Sequence, residues 1–269
     1  MVPAMPSSAL MNVMIGAARK AAKSLTRDFN EVEQLQVSVK GPGNFVSAAD
    51  HRAEKIIYDE LSKAREGYGF LMEESGKIEG ADKTHRWIVD PLDGTTNFLH
   101  GIPIFNISIG LEREGQIVAG IVYNPVMDEM YTAEKGKGAF LNDRRLRVAG
   151  RKSMMDCVIS TGTPTMNARV HDQFLEEVRI VMNSVASFRR FGSAALDLCY
   201  VASGRLDGFW ERNLHPWDMA AGILMVREAG GFVTDLAGGS DMFGTSTVVA
   251  GNATVHKGLM DLLGQKKPA

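Results

Sequence analysis

Cysteine is nearly absent. Cys157 and Cys199 are the only two among 269 residues. Each sits in a largely apolar stretch, where a free thiol behaves as a small buried hydrophobe, so the usage argues against a disulfide-stapled fold and for a reducing, cytoplasmic setting. An excess of one charge is missing too: 30 Lys plus Arg stand against 32 Asp plus Glu, a net −2 without long runs of either sign. That balance argues against direct nucleic-acid binding and against a charged membrane surface, and favours a small-molecule partner. No apolar run approaches the roughly 20 residues of a membrane span. In residues 1–25 the basic Arg19, Lys20 and Lys23 follow the apolar stretch, the reverse of a signal peptide. The six histidines lack the spacing of a zinc helix, and the glycines at 136 and 138 form no Walker or dinucleotide fingerprint.

What is present is a chain that is 45% hydrophobic and 23% charged, enough for one large domain or two packed lobes, 1–149 and 150–269, divided at a charged, glycine-containing stretch. Ser7 or Ser8 is placed to cap a helix reaching about residue 28, and a second helix is predicted over 48–64, with Asp50, Glu54, Ile57 and Leu61 at helical spacing. Trp87-Ile88-Val89 reads as a strand ending at Asp90, and residues 105–112 alternate as a strand should. Gly115, Pro125, Gly136 and Gly138 then punctuate short strands into an antiparallel meander. Beyond 150 the rhythm becomes strand then helix: strand 158–161, helix near 168–183, strand 188–191, helix 193–203, strand 206–210. A further helix starts at Pro216 with Trp217, Ala221 and Leu224 on one face, and 247–250 reads as a buried strand.

The most informative segment is Asp-Pro-Leu-Asp-Gly-Thr-Thr-Asn-Phe at 90–98, in which Pro91 and Gly94 are expected to stop the strand. Asp90 and Asp93, three apart across a tight turn, can converge on one point, and such hard oxygen donors suit Mg²⁺ or Ca²⁺ rather than a transition metal. The amides of Gly94 and Thr95, at a helix start, offer donors to a phosphate. The same residues also describe an ordinary turn in which aspartates cap their own backbone. Glu73-Glu74 follows the apolar Phe70-Leu71-Met72, so it is either a second acidic pair at a strand end or a solvated turn. Asp218, in His215-Pro216-Trp217-Asp218, and Asp50 both stand at helix starts, where capping alone accounts for an acid.

Taken together and in order, these blocks resemble the inositol monophosphatase family of metal-dependent sugar phosphatases. The blocks run from Asp50 to Asn252 and include Glu73-Glu74-Ser75, the 90–98 segment, Gly192-Ser193-Ala194-Ala195, Pro216-Trp217-Asp218 and Glu228-Ala229-Gly230-Gly231. The resemblance implies a five-layer αβαβα fold of the α+β class, with an antiparallel-sheet amino-terminal half and an α/β carboxy-terminal half. It implies two or three Mg²⁺ ions held by Glu73, Asp90, the Leu92 carbonyl, Asp93 and Asp218, and a catalytic set of Thr95, Asp50 and Glu73 acting on a water. Met72 departs from the glycine usual in the family.

The same resemblance implies that the substrate, a small phosphate monoester, touches Asp93, Gly94, Thr95, Gly192, Ser193, Ala194, Glu211 and Asp218. Glu211 and the small-residue loop favour myo-inositol 1-phosphate; other sugar phosphates and histidinol phosphate stay open as alternatives, as does a main role in protein binding in transcription. Arg189-Arg190 is either a bisphosphate clamp or a solvated pair at a strand edge or subunit contact. A homodimer and inhibition by Li⁺ are family expectations.

Overall fold

Ser8 does cap the first helix, accepting the Met11 N–H at 3.1 Å, and α1 (Ala9–Asn30) buries Met11, Met14, Ala18, Ala21 and Leu25 along one stripe. The structure, a computed structural model, describes residues 8–31, 37–41, 44–164 and 168–264, so Ser7 lies outside the described residues. A hairpin, β1 (Val37–Gly41) and β2 (Asn44–Ser47), leads into α2 (Ala48–Ala64), whose Ala49, Ala53, Ile57 and Leu61 recur every four residues and are fully buried.

Eight strands form the first sheet: β3 (Tyr68–Met72), β4 (Gly76–Ile78), β5 (Asp82–Asp93), β6 (Asn106–Arg113), β7 (Gln116–Asn124), β8 (Glu129–Glu134), β9 (Gly138–Leu141) and β10 (Arg144–Arg145). Their order is β10-β9-β8-β7-β6-β5-β3-β4. From β5 to β10 this is the expected meander. The sheet is nonetheless mixed, because β3 pairs parallel with β5: the chain turns back through the short β4 on the outer edge of β3 before crossing to its other side. Between β5 and β6 lies the short helix α3 (Thr95–Leu99).

The second half gives β11 (Val158–Thr161), α4 (Ala168–Met182), β12 (Ser187–Arg189), α5 (Ala194–Ala202), β13 (Gly208–Arg212), α6 (Pro216–Glu228), β14 (Phe232–Thr234), α7 (Met242–Thr245), β15 (Thr247–Gly251) and α8 (Ala253–Leu263). The five strands run in the order β12-β11-β13-β15-β14, parallel from β12 to β13 and antiparallel thereafter. Ser193 caps α5, and Asn252 caps α8 by accepting from Thr254 and Val255.

These elements stack as five layers. Helices α1 and α2 cover one face of the first sheet, α5 and α6 fill the space between the sheets, and α4 and α8 close the far side of the second sheet. This corrects the expectation of a one-faced α6. Met219 to Val226 are eight consecutive buried residues, because a helix between two sheets has no solvent side. Ala221 Cα stands 3.0 Å from where a Cβ on Gly120 would lie, so small side chains set the helix-to-sheet distance. Trp217 is excluded from that core and stacks on His215, ring centroids 4.8 Å apart, at the end of α6. Both cysteines are free and buried. No helix among the described residues is long and apolar enough to cross a membrane.

Candidate active site

The strand β5 does not stop at Pro91. It pairs with β6 from His85↔Arg113 to Asp90↔Ser108 and again at Asp93↔Asn106, so Pro91 and Leu92 oppose the single residue Ile107. This is a β-bulge, one of the few places in a sheet that tolerates a residue with no N–H to donate. Gly94 then ends the strand, at φ +92°, with Ile104 O only 2.8 Å from where a Cβ would lie. In a regular strand residues three apart face opposite ways; the extra residue turns Asp90 and Asp93 toward the same side.

Four carboxylates meet there from separate elements: Asp90 and Asp93 at the end of β5, Glu73 just after β3, and Asp218 in the first turn of α6. Asp90, only 2% exposed, accepts the Leu92 N–H at 2.9 Å. Burial, and then the like charges of Glu73, Asp93 and Asp218, hold its carboxyl well above the ordinary carboxylate range. Asp218 is pushed up by burial and next by Asp93, against the His215 N–H that its Oδ2 accepts at 2.6 Å. It thus caps α6 and joins the cluster at once, so both readings of that residue hold. Asp93 is raised by burial but eased by three donors from β6 and the start of α5: Ser193 Oγ at 2.6 Å, Asn106 Nδ2 at 2.9 Å and Ala195 N at 3.0 Å, all to Oδ2.

Among the described residues, no three His, Cys, Asp or Glu side chains are gathered closely enough to hold a metal ion by themselves. The donor set still fits a hard divalent cation. Mg²⁺ keeps several waters and takes few protein oxygens, and a mutually repelling group of one buried and three half-buried carboxylates is stabilised by positive charge among them.

Thr95, at the head of α3, donates its hydroxyl toward Asp50 Oδ1 at 3.2 Å and Leu92 O at 3.1 Å. Asp50 is 1% exposed, in the first turn of α2. One turn later on the same helix the buried Glu54 accepts from Glu74 N at 2.9 Å and from Ser75 Oγ, tying down the turn that carries Glu73. A single helix therefore positions both the Asp50–Thr95 pair and Glu73. Met72 is absorbed into the first core at 2% exposure and displaces nothing at the site.

Beside the cluster opens a cleft of about 590 Å³ lined by Asp93, Gly162, Arg190, Gly192, Ser193, Ala194, Glu211 and Asp218 among others. Every expected substrate contact lines it except Gly94 and Thr95, which stand outside its wall at the start of α3. Burial, then Asp197, Asp218 and Asp93, push Glu211 well up, with Arg190 opposing. Both arginines are exposed, but Arg190 lines the cleft and donates to Thr163 Oγ1 at 2.9 Å, whereas Arg189 bonds Ser187 Oγ and Phe188 O.

Sequence reasoning passed over Glu54, Asn97 and Asn106. Asn97 Nδ2 bridges Ile104 O and Phe191 O, both at 2.8 Å, stapling α3 to the loop before α5, and the fully buried Asn106 donates to Asp93 and to Ser193. Asn97 lies in the 90–98 segment and Glu54 one turn after Asp50, so spacing pointed at both; Asn106 was visible only as a polar residue in an apolar alternation.

The model of the inositol monophosphatase family matches residues 7–267. The inositol-1-monophosphatase of Mesorhizobium japonicum is 63% identical over 264 residues, 98% of this chain and 98% of that protein. The Nus factor SuhB of Escherichia coli (strain K12) is 41% identical over 251 residues, 93% of this chain and 94% of its own. The crystal structure of the extragenic suppressor protein suhB from Bartonella henselae matches with a TM-score of 0.94 at 61% identity, covering 97% of this chain and 100% of that one.

Proposed function

The chain belongs to the inositol monophosphatase family, and from that premise we propose that it hydrolyses myo-inositol 1-phosphate to inositol and phosphate with Mg²⁺. The observation that carries this reading is the repulsive carboxylate group, Asp90 with Glu73, Asp93 and Asp218, of which Asp93 and Asp218 line a cleft together with Glu211 and the small residues 192–194. In it Glu73, Asp90, Leu92 O, Asp93 and Asp218 would hold two or three ions, which would supply charge neutralisation for the phosphate, a lowered pKa for a water and stabilisation of the departing alkoxide.

The chain's own groups then do the following. Thr95 has one proton, directed at Asp50 or Leu92 O, so toward a water it presents lone pairs: it orients that water by accepting from it, and as the water's proton passes to Thr95 Oγ1 the Thr95 proton passes to Asp50. A threonine held this way is an orienting group, which favours direct hydrolysis over a phosphothreonine. Gly192, Ser193 and Ala194 let a ring approach closely, and Glu211, Asp93 and Asp218 accept its hydroxyls. The lobes 1–149 and 150–269 belong to the same reading, with the reaction at their junction.

Phosphate release from myo-inositol 1-phosphate, fructose 1,6-bisphosphate and histidinol phosphate tests it. The inositol ester is expected to lead and lithium to inhibit; a lead by another ester keeps the mechanism and makes this a broader sugar or histidinol phosphatase. The 41% identity to a Nus factor favours one second reading, a role in transcription through protein contacts. Capture of transcription proteins by a catalytically inert Asp93→Asn variant would establish that role alongside catalysis.

The same reading makes the protein a cytoplasmic homodimer, without membrane or direct nucleic-acid contacts, in keeping with its free thiols and its net charge of −2. Ile102, Val126 and Met127, 42%, 41% and 52% exposed, lie on two turns joined by the Asn124 Nδ2 to Pro103 O hydrogen bond and supply an apolar patch for that contact. Met127→Asp is expected to shift gel-filtration elution from dimer to monomer; an unshifted dimer would place the contact elsewhere.

A further inference from the structure

At the end of β11 the chain leaves the sheet through Gly162, whose neighbour across the parallel pair is β13, the strand that carries Glu211. A Cβ on Gly162 would stand 1.7 Å from Glu211 Oε1, 2.1 Å from Cδ and 2.4 Å from Oε2. No non-bonded atoms approach so closely. All three atoms belong to the far end of one flexible side chain. Gly162 is also not among the residues at positive φ, so its backbone accommodates any L-residue. The case differs from Gly94, where a side chain would meet backbone and the left-handed conformation itself calls for glycine. At 162 the three atoms nearest the missing side chain all belong to the Glu211 carboxylate. Both residues line the same cleft as Asp93 and Ser193.

We propose that Gly162 is a specificity-determining residue: the space left by its missing side chain seats the Glu211 carboxylate where a polyol ester presents the hydroxyls remote from its phosphate. The inference rests on the reading of Glu211 as a hydroxyl acceptor and extends it to the residue that places the acceptor. Even a methyl at 162 forces the carboxylate to another rotamer, out of register with a ring held at the phosphate end. An ester with no hydroxyl in that region does not register the change.

The test compares myo-inositol 1-phosphate with propyl phosphate, which carries no hydroxyl, across Gly162→Ala, Glu211→Ala and the double variant. Gly162→Ala is expected to lower kcat/KM for the inositol ester about tenfold to a hundredfold, mainly through KM, the range for losing a hydrogen bond to a charged group. Its kcat/KM for propyl phosphate should stay within about twofold, as for a site not coupled to the change. In the Glu211→Ala background the alanine at 162 should cost nothing more, and Glu211→Asp, whose shorter side chain clears the added methyl, should restore part of the preference to Gly162→Ala. Equal losses on both esters, or an undiminished effect without Glu211, would overturn the proposal. Should Glu211→Ala fail to distinguish the two esters, the reading of Glu211 itself falls, and the role of Gly162 with it.

Discussion

Asp90→Asn is expected to lower phosphatase activity by roughly a thousandfold, the scale of removing one pre-placed electrostatic group from a reaction centre, while raising the melting temperature of the chelator-treated protein. The two signs share one cause. The Asp90 carboxyl is held above its ordinary range by burial and by Glu73, Asp93 and Asp218, so its charge is a liability to the fold in the absence of cations. The amide keeps the shape and keeps an oxygen for the Leu92 N–H. Each kcal/mol of repulsion relieved corresponds to a rise of about 2–4 °C for a protein of this size. Phosphate release and scanning calorimetry in EDTA check both halves. A fall in melting temperature together with activity would mean that the Asp90 charge supports the fold rather than straining it.

Chelation of the wild type should abolish phosphate release and make stability strongly pH-dependent. Asp90, Asp93 and Asp218 all have carboxyls raised above the ordinary value of 3.8. A raised folded-state pKa means the native state holds protons that the unfolded chain has released. The associated stability is therefore present below about 3.8 and is lost as pH climbs through the raised values. Asp82, drawn down to about 2 by Thr84, changes in the opposite sense but below that window. In EDTA the melting temperature should thus fall as pH climbs above about 3.8, and added Mg²⁺ should flatten the curve by offsetting the negative charge. A pH-independent difference between chelated and loaded protein would contradict the repulsion account.

Much of this architecture was legible in the sequence where local physics decides. Ser8, Ser193 and Pro216 mark helix starts because capping is a property of a few neighbouring atoms. The alternation through β6 was visible, although both faces of that strand prove largely buried. What escaped depends on distant partners. β14 is three residues held by β15, and the parallel pairing of β3 with β5 has no local signature. The helix α8, by contrast, has a local signature, with Asn252 as cap and Val255 and Leu259 four apart. At the site, the 90–98 segment pointed to Asp90 and Asp93, but the reason they face one way, a bulge at Pro91 and Leu92, shows only in the register with β6. Asn106 and Gly162 carry meaning only through Asp93 and Glu211, which lie 13 and 49 positions away.

The burial of α6 on all sides bears on how this sequence can drift. Ala220, Ala221 and Gly222 follow Asp218 within four positions, and a Cβ on Gly222 would come 2.6 Å from Leu198. A side chain enlarged there has no free surface to move toward, so the helix shifts along its axis and takes Asp218 with it. Substitutions deep in the protein's centre will register in a genetic screen as loss of catalysis in a molecule that still folds. A run of alanines and a glycine with no chemistry of its own thus constrains the site as its carboxylates do.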